Sequence, residues 1–213
     1  MPLFKTPRQK EIQYIKDTLD KIKKKADKDK KDFNIDMVLN DARIRRAFLY
    51  FCISEWSYPN ILLFYAIREY KKAPTYSKGV ALLGTFCKES SEQQVNIQDK
   101  DAKFAEEKLN QFHSKIHMTQ SRRMAKLTPN ISHRLREPPS PMNLFDTIEG
   151  TVKVNLLDTY SRFFLNPVPE IDKDAKIKIS EERFKVLGII NTLSHFDLRL
   201  STLEGDLMNL TFW

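Results

Sequence analysis

The sequence predicts an all-α protein, and three observations support that prediction. Apolar residues recur at intervals of three and four through most of the chain, which is the period of an amphipathic helix. The chain holds 14 phenylalanines but only 5 glycines, so it is richer in core formers than in turn formers. Successive helical patterns are separated by short polar connections, which favours an antiparallel helical bundle. With 213 residues the chain can form one domain with a substantial core.

The first helical pattern runs from Pro7 to Lys31, within a basic arm of residues 1–35. Its apolar residues lie on one face, beside a lysine-rich face: Ile12, Ile15, Leu19 and Ile22. Two interpretations stay open. The helix either docks on the rest of the domain or lies on an anionic membrane surface.

Two further helices meet at a short polar turn near Asn60. The Asn40-Asp41 pair is suited to cap the first of them. Its core face is predicted to hold Ile44, Ala47, Phe48, Phe51 and Cys52. Pro59 suits the first turn of the second helix, which ends before Pro74. Its buried stripe is predicted to be Ile61, Phe64, Tyr65, Ile67 and Tyr70.

Two more helical patterns and an insertion follow. The third pattern, from Tyr76 to Lys88, is predicted to bury Val80, Leu83 and either Phe86 or Cys87. The fourth runs from Asp99 to about His117, and the side chains predicted to face the core are Phe104, Leu109 and Phe112. A basic, proline-containing insertion spans roughly residues 114–143, and a helix over 144–157 comes next. The insertion either chooses partners or is a tolerated surface feature.

A C-terminal extension is predicted over residues 167–213. A charged linker, 170–178, precedes a helix over about 180–196, for which Ser180-Glu181-Glu182 is a good start. The predicted apolar face of this helix is Phe184, Leu187, Ile190 and Leu193. Residues 197–213 are compatible with a hairpin or with the cut end of a longer protein, and both interpretations stay open.

Charge and residue usage exclude several classes of function. The net charge of +8 is concentrated in residues 1–35 and 114–143, so the rest of the chain is close to neutral. That distribution favours solvated surface, or weak contact with anionic membranes, over a nucleic-acid-binding core. The two cysteines lie in apolar helical patterns, which suits buried thiols in a reducing compartment. From this cysteine usage we expect a cytoplasmic protein. No apolar run approaches the length of a membrane span.

No catalytic or metal-binding motif stands out. The sequence has neither a glycine-rich phosphate loop nor a nucleophile elbow. His113 and His117 have a spacing that can hold zinc on a helix face, but no second ligand pair accompanies them. We therefore expect no enzyme activity of the chain's own, no cofactor and no metal.

Several separated blocks resemble the regulator of G-protein signalling (RGS) homology domain. Phe48 to Phe51, then Ser54-Glu55-Trp56-Ser57, Asn60-Ile61 and Glu69-Tyr70-Lys71-Lys72, are similar to that family's F-x-x-F, S-E-Y-S-E-E-N-I and E-Y-K-K elements. Further along, the matching blocks are Val95-Asn96-Ile97, Phe145-Asp146 and the run from Asp158 to Phe164, which resembles D-S-Y-x-R-F-L. The resemblance covers about residues 36–166, with the insertion as one long interruption.

The resemblance implies a fold, a partner and a set of contacts. Such domains fold as an antiparallel four-helix bundle with a subdomain of terminal helices, and they bind the active alpha subunit of heterotrimeric G proteins. They speed GTP hydrolysis by gripping the switch regions, without supplying an arginine finger. Asn60 matches the asparagine that reaches the catalytic glutamine and the attacking water. The other matched contact positions are Glu55, Ser57, Lys108, Val154, Asp158, Thr159 and Arg162.

Three departures affect this implied surface. Pro59 and Tyr58 replace acids, and Lys108 falls where a second contacting asparagine is common. A scaffold that binds signalling partners without accelerating GTP hydrolysis is therefore the alternative. Simpler structural roles also stay open, because Asn60 suits a helix cap, while Asp158 suits either a cap or an exposed pair with Arg162.

Overall fold

A computed structural model describes residues 6–28, 34–124, 139–167 and 173–210. Within these ranges the regular structure is helical throughout and contains no strand, so the all-α prediction is confirmed. The helices are α1 Pro7–Lys28, α2 Ile35–Leu39, α3 Ala42–Ser54, α4 Tyr58–Lys72, α5 Tyr76–Leu82, α6 Asp99–Met124, α7 Asp146–Leu165, α8 Lys173–Ser194 and α9 Ser201–Met208. A π-helical turn, Leu83–Cys87, continues α5. The middle of the predicted insertion, 125–138, lies outside the described residues, as do the ends of the arm and of the tail.

The chain forms two compact units. The first consists of residues 1–62, 153–192 and 200–213, and the second of residues 63–152 and 193–199. The terminal helices α1, α8 and α9 thus contribute mainly to the first unit. Helices α5 and α6 belong to the second.

Helix α3 is central to the core of the first unit. Asp41 caps it, since its carboxylate accepts from the backbone N–H groups of Arg43 and Ile44. The predicted core face of α3 is buried throughout. Its aromatic rings pack on Phe163 of α7, with ring centroids 5.3 Å from Phe48 and 5.5 Å from Phe51. These predictions are confirmed because a good cap and a clear helical period specify the same face.

The ends of the chain pack on α3. Ile15 and Leu19 of α1 are buried, and the Arg43 guanidinium lies 4.6 Å from the centre of the Tyr14 ring. The apolar stripe of α1 therefore serves docking, as one of the two interpretations expected. At the other end Arg45 Nε donates to Asp206 of α9 at 2.6 Å. Residues Ser201–Met208 form a helix, so the hairpin interpretation of this stretch is wrong.

Two predicted core positions in the second unit are wrong. Val80 is 43% exposed, because α5 turns Gly79 toward α6, where a Cβ would lie 2.8 Å from Leu109 Cδ2. Phe104 is 53% exposed, because α6 buries Ala105 and Leu109 instead. The close approach at Gly79 sets the rotation of both helices, and the apolar period alone does not reveal it.

The boundaries of the later helices also differ from the predictions. Helix α8 begins at Lys173, inside the predicted linker, because no glycine or proline interrupts that stretch. Its predicted face is partly wrong: Phe184 is 70% exposed, while Glu182 and Val186 are buried. Helix α6 extends to Met124, and α7 is continuous through Leu165.

Candidate functional site

The turn between α3 and α4 is closed by two backbone hydrogen bonds. Trp56 N–H donates to Ile53 O at 3.2 Å, and Ser57 N–H donates to Cys52 O at 2.8 Å. This is the Schellman pattern of a helix C-terminus, which needs a left-handed residue at its centre. That residue is usually glycine, but here it is Trp56, with φ 60° and a side chain 61% exposed. The turn is therefore well defined and presents an indole ring to solvent.

Asn60 lies in the first turn of α4, with both ends of its amide hydrogen-bonded. Its Nδ2 donates to Ser57 O at 3.4 Å, and its Oδ1 accepts from Asn155 Nδ2 of α7 at 3.1 Å. The side-chain oxygen thus bonds another side chain and does not accept from a backbone N–H, as a cap would. The arrangement holds the amide in one orientation at the edge of the turn.

Arg162 of α7 joins the two segments of the site. Its Nε donates to Glu55 Oε2 at 2.9 Å, Nη1 pairs with Asp158, and Nη2 donates to Thr159 Oγ1 at 3.4 Å. The hydrogen bonds that the guanidinium donates to Glu55 and Asp158 raise its pKa above its usual range. Arg162 thus connects the turn to α7. The exposed i,i+4 pair with Asp158 that one interpretation expected is present, but it is only one of the contacts that Arg162 makes.

The other matched residues of α7 divide between its inner and outer faces. Thr159 is buried, and its hydroxyl donates to Asn155 O at 3.1 Å. Val154 and Asp158 are exposed and lie one helical turn apart. Asp158 is well inside α7, which rules out the cap interpretation for it.

The buried side of the turn contacts α8. Tyr58 points inward, and its hydroxyl donates to Glu182 Oε2 at 3.0 Å. Both side chains are buried. Lys185 lies one turn further on, with Nζ 2.6 Å from Glu182 Oε1 and 5.9 Å from the Trp56 ring centre. The turn therefore rests on a helix of the C-terminal extension.

The structure gathers seven of the eight predicted contact residues in the first unit. They are Glu55, Ser57, Asn60, Val154, Asp158, Thr159 and Arg162. Lys108 belongs to α6 in the second unit, where it is exposed with Nζ 5.5 Å from the Phe104 ring centre.

Sequence reasoning missed two residues that hold the turn. Nothing in the sequence distinguishes Asn155 from other polar residues on a helix surface. The one available signal is its spacing of four from Thr159, which places the two residues on the same helix face. The sequence predicts Glu182 only as part of a helix start. Its burial was not predicted, because a carboxylate is rarely buried unless it is paired. Its partner Tyr58 is 124 positions away in the chain.

Cys52 is the one cysteine of this region, and its environment makes it unreactive. The thiol is fully buried below the turn, and burial raises its pKa from 9.0 to about 12. The thiolate is the nucleophilic form of cysteine, so this residue is poorly suited to catalysis near neutral pH.

Comparison with known families identifies the fold at this point. A family model, the regulator of G protein signaling domain, matches residues 34–168, which is more than half of the chain. The chain belongs to this family. The match contains the turn and α7 and leaves α1, α8 and α9 outside it. Neither the curated proteins nor the solved structures contain a match to the chain.

Membership in the RGS family indicates a role in regulating G-protein signalling. Domains of this family typically activate hydrolysis by a partner GTPase and carry out no reaction themselves. Among the described helices, none is long and apolar enough to cross a membrane.

Proposed function

We propose that this RGS domain is a GTPase-activating protein. It binds the switch regions of an active G-protein alpha subunit and accelerates its GTP hydrolysis in the cytoplasm. The observation that supports the proposal is the fixed amide of Asn60, held between Ser57 O and Asn155 beside the charged cluster of Glu55, Asp158 and Arg162.

The physical argument is preorganisation. An amide both donates and accepts, so it can orient a glutamine side chain or a water on the partner. An amide that is already fixed loses little conformational freedom when the partner arrives. Catalysis then comes from the partner's own groups, held in the shape of the transition state.

The exposed members of the cluster supply the remaining contacts. Asp158 accepts from the partner's switch backbone, and Val154 offers an apolar contact on the same face. Thr159 is buried, so its role is to position Arg162 and Asn155. Glu55 and Ser57 flank Asn60 on the turn.

Of the residues that depart from the family pattern, Tyr58 and Lys108 differ in what they imply for binding. Tyr58 takes no part in binding, because its side chain is buried against Glu182. Lys108 is an exposed cation. If it contacts the partner, it selects an alpha subunit with an acid opposite it and disfavours one with a cation there.

A scaffold without GTPase-activating activity is the second candidate. It applies if a partner cannot share or displace the two bonds of Asn60, in which Oδ1 accepts from Asn155 and Nδ2 donates to Ser57 O.

Membrane recruitment is a further element of the proposal. The lysines of α1 at positions 16, 21, 23, 24, 25 and 28 are exposed, while Ile15 and Leu19 of its apolar stripe are buried. A docked helix with a free basic face favours weak electrostatic attraction to the anionic inner face of the plasma membrane. We expect no nucleic-acid binding.

Single-turnover GTP hydrolysis by a panel of alpha subunits tests the proposal. We expect acceleration of at least one subunit and a loss of roughly a hundredfold in Asn60→Ala, the size of effect seen when one positioned polar group is removed. Asn143→Ala, which removes an exposed amide outside the site, is the matched control. Binding without acceleration of any alpha subunit in the panel, and without preference for the transition-state mimic over the GDP form, would establish the scaffold instead.

A further inference from the structure

A cavity with a mixed polar and apolar lining lies in the first unit, formed mostly by the C-terminal extension. It measures about 150 Å³ and is bounded by residues of α3, of α8 and of the segment that follows α9: Tyr50, Lys176, Ile179, Ser180, Arg183 and Leu210. All but Tyr50 lie outside the segment that matches the RGS family. The cavity shares no residue with the site around Asn60.

Its two cations have no carboxylate partner among the described residues. Arg183 Nη2 donates to Met208 O at 3.5 Å, a long hydrogen bond, and its Nε is buried without an acceptor. Lys176 is exposed and forms no ion pair within the described residues. Arg45, by contrast, pairs with Asp206 at 2.6 Å. The cavity lining therefore carries positive charge that no described carboxylate neutralises, and this favours an anionic ligand.

The lining specifies the chemistry of the ligand. A planar guanidinium, an ammonium and a hydroxyl together match the oxygen atoms of a phosphate group. The volume corresponds to about five water molecules, at about 30 Å³ each, which suits a phosphate with a few further atoms. Ile179 and Leu210 provide an apolar wall for carbon atoms attached to it.

From this combination we infer that the cavity binds the phosphate group of a phosphate monoester. The ester is either a small soluble molecule or the headgroup of an anionic lipid, since both present the same group. Lys176 at the exposed edge attracts the ligand, Arg183 binds its oxygens, and Ser180 donates to it.

Binding of two probes tests this site in the full chain. Glycerol phosphate, followed by calorimetry and by amide chemical shifts, represents the soluble source. Vesicles of phosphatidylcholine with phosphatidic acid represent the lipid source. Vesicles with phosphatidylglycerol, which carries a phosphodiester, control for surface charge.

The variants are Arg183→Gln and Lys176→Gln, with Lys178→Gln as the matched control. Lys178 lies on the same helix and carries the same charge, but it does not line the cavity. We expect Arg183→Gln and Lys176→Gln each to weaken binding about tenfold, and the control to leave it unchanged. Circular dichroism and thermal unfolding establish that each variant is folded.

Either source supports the inference if its binding is lost in the two cavity variants and kept in the control. A preference for glycerol phosphate identifies a soluble ester, and a preference for phosphatidic acid over phosphatidylglycerol identifies a lipid. Absence of binding to both probes overturns the inference. So does binding that all three variants reduce equally, because that is non-specific attraction by charge.

Discussion

The turn between α3 and α4 is bonded on two sides that differ in exposure and in origin. Toward α7, inside the family segment, the contacts are the exposed charges of Glu55, Asp158 and Arg162. Toward α8, outside that segment, the contact is the buried hydrogen bond from Tyr58 to Glu182. Exposed ion pairs add little to stability, whereas a buried carboxylate without its donor is costly. We therefore expect the α7 side to govern binding and the α8 side to govern stability.

The α8 side should show the larger effect on stability. Tyr58→Phe removes the donor to Glu182 and leaves a buried carboxylate with one hydrogen bond fewer. We expect a loss of about 1 to 3 kcal/mol in the free energy of unfolding, measured by urea denaturation. Tyr76→Phe removes an exposed hydroxyl bonded to Asn110 and is the matched control, with an expected change close to zero. Equal losses in both variants would contradict the distinction.

The α7 side should show the reverse pattern. Arg162→Met removes the bridge to Glu55 and leaves two exposed carboxylates without a cation. We expect about tenfold weaker binding to the active alpha subunit, with a stability change below about 1 kcal/mol. Arg199→Met breaks an exposed pair with Asp197 outside the site and should change neither quantity. A large loss of stability in Arg162→Met would show that this bridge supports the fold.

Asn155 tests how the amide of Asn60 is positioned. Asn155→Leu keeps the size of the side chain but removes the donor to Asn60 Oδ1. If that bond positions the amide, the rate at saturating domain falls about threefold to tenfold while affinity is nearly unchanged. A faster rate would mean that Asn155 restrains an otherwise more active Asn60, and no change would exclude a positioning role.

The smallest effect is expected at the outer face of α8. Lys185→Met removes the cation near the Trp56 ring and the exposed partner of Glu182. The stability loss should be about 0.5 to 1 kcal/mol, smaller than that of Tyr58→Phe. Lys178→Met, on the same helix, provides the baseline. A stability loss larger than that of Tyr58→Phe would mean that the ammonium of Lys185, and not the phenol of Tyr58, makes the larger contribution to the stability of this contact.

The sequence predicts some parts of this molecule better than others, for physical reasons. The core face of α3 follows from a cap and a helical period, which are both local. The positions of Val80 and Phe104 depend on how closely Gly79 approaches Leu109, which is a tertiary property. The contact residues come from a resemblance in separated blocks, because isolated polar residues carry little signal. The burial of Glu182 could not be predicted, since it depends on the Tyr58 hydroxyl, which is 124 positions away in the chain.

The left-handed Trp56 has a practical consequence for spectroscopy. It is one of only two tryptophans, and its ring stands in solvent beside the proposed contact residues. With Trp213 replaced by phenylalanine, the fluorescence emission of the protein arises chiefly from this one indole. A partner that covers the turn removes water from the ring and shifts the emission to the blue. The protein thus carries its own optical reporter of complex formation.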